Sequence, residues 1–204
     1  MGLVINNVEG RDRSGFGTAA VQGGIAIYRD RVSRGDSGAY LALRLAVMLE
    51  AYASECCDFY FSNANAIELP DEPYPAWQVE LPRVPPFPED TDAWRAMDKR
   101  LVARCLDFPN CVHASQNKIA SCAEYAEHDL GNVLDEEASA RGVEAWDIAS
   151  ALRDTYQLGR VEMVFDYFGV LRDVLKSSKE NREEREKQHA QLMQKLSQQA
   201  NVGS

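Results

Sequence analysis

The chain has 204 residues, 45% of them apolar, enough for one domain with its own core and some additional helix, and it leaves no second core-forming segment. Its 32 acidic and 22 basic side chains give a formal net charge of −10, which disfavours non-specific DNA or RNA binding by the surface as a whole and leaves open only a local basic patch. Residues 1–34 and 176–196 each carry +2, whereas residues 68–98 carry −6 and residues 124–154 carry −7. The basic ends are therefore expected to lie against the acidic middle, in this chain or in a partner.

Residues 1–36 predict a loosely ordered segment. Gly, Asn and Ser dominate residues 1–20 without periodicity, and residues 21–34 predict a short helix or turn. The uncharged run 14–28, followed by Arg29, Arg31 and Arg34, looks like a positive-inside boundary. It is too short and too rich in Gly to span a bilayer, so a flexible lead-in is the expectation. Asp36 or Ser37 predicts the N-cap of a helix over Tyr40–Phe61, with Leu41, Leu45, Met48, Tyr52 and Phe59 on one stripe. Leu43, Val47 and Leu49 widen that stripe, which predicts a central helix.

Seven of the eight prolines fall between Pro70 and Pro88, a density that excludes regular helix and central strand over the crossover 68–90. The segment 77–88 predicts an extended, polyproline-like strap that lays Trp77, Val79, Leu81, Val84 and Phe87 on the bundle. Asp90 or Thr91 then predicts the cap of a helix to Leu106, with Trp94, Met97, Leu101 and Cys105 inward. Phe108-Pro109-Asn110 predicts a break, and a further helix carries Val112, Ser115, Ile119, Cys122 and Ala126 on one face. A turn is expected at 129–132, then a helix from Val133 to Tyr156. The last helix is expected from Arg160, apolar on one side through Val164, Phe168, Leu171 and Leu175 and almost wholly polar over 176–191. The fold class predicted is all-α: a bundle of about five helices over 37–176, an extended Pro-rich crossover, and a long C-terminal helix protruding over 177–204.

Candidate chemistry is sparse. Cys56, Cys57, Cys105, Cys111 and Cys122 are odd in number with no secretory signal before them, which predicts reduced, mostly buried thiols in the cytoplasm. The arrangement of Cys105, Cys111, His113 and Cys122 is not a zinc spacing, and Glu124 stands four rather than three before His128, which excludes the ferritin-like pattern. No metal site and no cofactor is expected. Cys111 and His113 are two apart and cannot face each other on a helix. Arg182 and His189, six residues between them, fall inside the loose Arg-x-His pattern of helical HEPN-type ribonucleases, although Glu183, Glu184 and Glu186 repel phosphate there. Pro82 and Pro85 with Arg83 between them have the spacing of a ligand for a proline-binding module, but a tethered crossover is the preferred reading.

The chain also resembles a group of helical bacterial proteins without a known activity. The features that carry this are Leu81-Pro82, Pro85-Pro86-Phe87-Pro88, Asp92, Trp94, Asp98, Leu101, Leu106, Pro109, Asp147-Ile148-Ala149, Leu152-Arg153 and Tyr156. The resemblance covers about half of the chain. It implies a helical fold and a bacterial source, and for such proteins a membrane anchor ahead of the bundle, where this chain has only residues 14–28.

The leading expectation is a non-enzymatic interaction or scaffolding protein that binds a protein partner or itself through Phe165, Phe168 and Leu171, or through the tip Leu192 and Leu196. A HEPN-like ribonuclease or defence-associated factor using Arg182 and His189 is the second expectation. A peripheral membrane protein is the third.

Overall fold

The computed structural model describes residues 15–66, 75–159 and 165–202, and the side chains within these ranges except at 15–35, 189, 192 and 195–202. Five α-helices make up these residues: α1 Gly15–Ala64, α2 Thr91–Ala96, α3 Lys99–Tyr125, α4 Leu130–Tyr156 and α5 Tyr167–Val202. A 3-10 turn, Glu127–Asp129, joins α3 to α4. The all-α bundle is as expected. Its helix α4 lies against α1, α3 and α5, and α2 packs on α1.

The core follows the apolar stripes. Leu41, Leu45, Leu49, Tyr52, Cys56 and Phe59 of α1 are buried in one cluster with Leu134, Ala138, Ala145, Ile148 and Leu152 of α4. Leu101, Cys105, Phe108 and Ile119 join them from α3. The Phe108 ring meets the Tyr52 ring edge to face at 5.2 Å. Each such large apolar side chain contributes about 1.5–3 kcal/mol on burial. Gly142 marks a close crossing: a Cβ there would stand 2.5 Å from Leu171 Cδ1 and 3.0 Å from Cys56 Cβ, so α1, α4 and α5 converge on a residue without a side chain.

Several helix boundaries differ from those expected, among them the start of α4 at Leu130, inside the turn expected over 129–132. Asp36 and Ser37 do not cap α1, because the helix continues through them from Gly15. Gly38 within α1 is a contact: a Cβ on it would lie 3.2 Å from the backbone of Ala96, so its smallness admits α2. The helix expected from Asp90 to Leu106 is two helices. Asp90 caps the first through Ala93 N (3.0 Å), Met97 is extended, and Asp98 caps the second through Arg100 N (2.9 Å) and Leu101 N (3.2 Å). The backbone N–H of Asp98 donates to the hydroxyl of Tyr156 on α4 (2.7 Å), which holds the break in place. Conversely, Pro109 does not end α3. It removes the N–H that would reach the Cys105 carbonyl, yet Phe108 and Val112 on either side of it are buried, and their packing outweighs the lost bond. Finally, α5 begins at Tyr167, and the start expected at Arg160 lies outside the described residues. The Asp166 carboxylate accepts from Gly169 N (2.8 Å) and sets the start at Tyr167, while Val164 also lies outside the described residues.

Residues 75–90 form no helix and lie over the bundle. Leu81 is buried, and Trp77, Val84 and Phe87 pack against the core. The Trp94 indole donates to the Pro88 carbonyl (2.8 Å), closing the strap onto α2.

Candidate interaction face of α3, α4 and α5

Three helices bring a set of opposite charges together. On α4 and the turn before it, Asp129, Asn132, Val133 and Glu136 recur every three to four residues and so share one face. On α5, Arg182 and Arg185 are three apart and turn toward that face. Arg182 pairs with Glu136, and Arg185 Nη1 lies 2.6 Å from Asp129 Oδ1. From α3, Lys118 Nζ reaches Glu137 Oε1 at 2.5 Å and Glu136 Oε2 at 3.9 Å. Ser115 Oγ donates to the other oxygen of Glu137 (2.5 Å), so this buried carboxylate has a partner on each side. His128 Nε2 lies 3.5 Å from Asp129 Oδ2 at the edge. An open cleft of about 400 Å³ remains between Lys118, Asn132, Val133 and Glu136 on one side and Arg182 and Arg185 on the other. The basic C-terminal segment thus lies on the acidic middle of its own chain, as the charge distribution led us to expect.

Two further polar arrangements fix neighbouring elements. Arg153 of α4 is buried and binds Glu50 of α1 with two hydrogen bonds, Nε to Oε1 at 2.5 Å and Nη2 to Oε2 at 2.8 Å. Its Nη1 donates to the Gly159 carbonyl (3.0 Å) and so holds the turn after α4, which leaves the helix through left-handed Gln157. The bond to Glu50 raises the Arg153 proton affinity further. The second arrangement holds the Pro-rich strap. Asn63 at the end of α1 accepts from Gln78 N (2.7 Å) and donates to Gln78 O (3.0 Å). Gln116 of α3 accepts from Leu81 N (2.8 Å) and donates to Val79 O (2.8 Å). The two side-chain amides give the strap backbone the partners that a neighbouring strand would supply. A cleft of about 480 Å³ lies beside it, between Pro82 and Val84 of the strap and Pro109, Val112 and His113 of α3.

The residues expected at a partner surface are divided by the structure. Leu171 is a correction: it is completely buried against α1 and α4 and belongs to the core. Phe168 is half-buried, stacked on Trp146 at 5.6 Å with the Arg172 guanidinium 4.1 Å from its ring. Phe165 is 44% exposed, in a row of rings with Phe61 (6.2 Å) and Tyr167 (4.9 Å). The side chains of Leu192, Leu196 and His189 lie outside the described residues. Arg182, the cation of the ribonuclease pattern, is engaged by Glu136. All five cysteines are free thiols, and among the described residues no group of three or more His, Cys, Asp or Glu stands close enough to hold a metal ion. Among the described residues no helix is long and apolar enough to cross a membrane.

Sequence reasoning missed the Asn63 and Gln116 clamps and the Glu50–Arg153 pair. The last had one signal, an Arg on the apolar face of α4 between Leu152 and Tyr156. The clamps had none, since an amide side chain looks the same whether solvated or bonded. No family model matches the chain, and no curated protein or solved structure matches it either.

Proposed function

We propose that this chain is a non-enzymatic helical interaction or scaffolding protein and that the outer half of α5 is its docking arm. The observation that supports this reading is the excess of α5 over its core contact. The helix has 36 residues, about 54 Å at 1.5 Å per residue. Among its described side chains, the buried and half-buried apolar positions (Tyr167, Phe168, Val170, Leu171, Val174 and Leu175) end one quarter of the way along. From Lys176 to Gln188 the helix is polar, and it touches its own bundle through Arg182 and Arg185. A helix maintained so far beyond its core presents a long charged face for a protein partner, a second copy of the chain included. Five unpaired thiols suit a reducing compartment such as the cytoplasm.

The test compares the full chain with one ending at Ser177, after circular dichroism has shown that the shorter chain keeps its bundle. Solution mass is measured by light scattering, and bound partners are identified after capture from the source cells. Loss of self-association, or of a specific retained partner, on truncation supports the docking arm. Identical mass and an identical partner set for both chains would overturn it.

A further inference from the structure

The contacts of α5 change character partway along the helix. Up to Leu175 it is anchored by apolar burial, with Leu171 wholly inside the core. Between Ser178 and Gln188 two ion pairs tie it to the bundle, Arg182 with Glu136 and Arg185 with Asp129. The Arg182 and Arg185 side chains are each 43% exposed, so mobile ions reach them, while the Glu136 side chain is 13% exposed. The cleft of about 400 Å³ between the two surfaces shows that the arm spans α4 without packing down on it. The arm also carries its own helical support in Lys176–Glu180 (3.9 Å), Arg182–Glu186 (3.9 Å) and the Gln188 to Glu184 hydrogen bond (3.1 Å). Lifting residues 178–188, with the helix bending beyond Leu175, therefore breaks these two ion pairs and leaves the arm's own helical pairs in place.

We propose that residues 178–188 form an electrostatic latch, a strap that closes over the α3–α4 face at low ionic strength and opens as salt screens Arg182 and Arg185 from Glu136 and Asp129. Opening uncovers Glu136, Asp129 and the cleft between them, a negatively charged surface suited to a basic segment. Lys118 stays behind on Glu137, so the face that appears is acidic but not bare. Such motion of the arm takes place within one chain and does not depend on the arm having a partner.

The test is a spin–spin distance measurement on the full chain, with labels on ketone-bearing residues introduced at the exposed positions Ser121 of α3 and Gln188 of α5, so that the native thiols stay untouched. Distances are recorded from about 0.01 M to about 1 M NaCl, over which the screening length falls from roughly 30 Å to roughly 3 Å. A short, narrow distance at low salt should give way to a longer one. The open-to-closed ratio should rise about threefold to tenfold, the range set by losing one or both ion pairs. Arg185→Asp should give the open distribution at low salt, and Arg185→Asp combined with Asp129→Arg should restore the closed one. A distribution that ignores salt, or a broad one at every salt concentration, would overturn the latch, as would failure of the reversed pair to restore closure.

Discussion

A carboxylate and a guanidinium taken out of water together, as Glu50 and Arg153 are between α1 and α4, hold each other only while both are present. In Glu50→Gln the buried cation keeps the Gly159 carbonyl but loses its counter-charge. We expect a loss of about 3–4 kcal/mol in urea unfolding, against a much smaller change when both residues are replaced by Leu and Met. Asp135 behaves oppositely. Burial on α4 beside Tyr60 pushes its carboxyl up to about 6, so the folded chain holds that proton more tightly than the unfolded one. Its penalty is absent below the ordinary carboxylate value and grows as pH rises toward 6, so stability falls across that window. Asp135→Asn should therefore gain about 1 kcal/mol over the parent at pH 7, allowing for solvent screening of this partly exposed group, and nothing near pH 3. Paired urea titrations at the two pH values read the difference.

At the scale of elements, the strap depends on two amides more than on its prolines. Asn63→Ala and Gln116→Ala each strip two hydrogen bonds from the backbone of residues 78–81, worth about 1–3 kcal/mol per substitution. Amide exchange should speed up at Gln78 in the first variant and at Leu81 in the second, with the helices unchanged. Apolar spacing made the faces legible before any coordinates: Leu41, Leu45, Tyr52, Leu101, Ile119, Leu134, Ile148 and Leu152 are all buried. The ends of the helices were not legible, because Gly38, Met97-Asp98 and Pro109 are decided by what packs against them rather than by their own propensities. The clamps were hidden for a related reason, since each joins an amide to backbone 15 or 35–37 residues away and leaves no local trace. Of the charged face, the segregation of charge was readable and the register of Arg182 on Glu136 was not.

For the molecule as a whole, the arm contributes little to holding the bundle together. A chain ending at Ser177 keeps Leu171 in the core and loses two ion pairs with α4, Arg185–Asp129 with both partners open to solvent and Arg182–Glu136 with only the arginine open, each worth about 1 kcal/mol or less after screening. Its unfolding free energy should lie within about 2 kcal/mol of the parent, and its helical signal should drop by the share of residues removed. A larger loss would mean that the outer helix takes part in the fold.

Three thiols, Cys56, Cys57 and Cys105, sit at the centre of the α1–α3–α4 core. Burial pushes Cys56 up to about 12 and Cys57 and Cys105 up to about 11, so as thiolates they are scarce at neutral pH. Cys111 and Cys122 are half-exposed. An alkylating reagent should therefore add two mass increments quickly and the remaining three only when the bundle opens. The interval between the second increment and the third is a clock for global opening, written into the unmodified chain and readable by mass spectrometry in any buffer, at any salt concentration, with or without the arm.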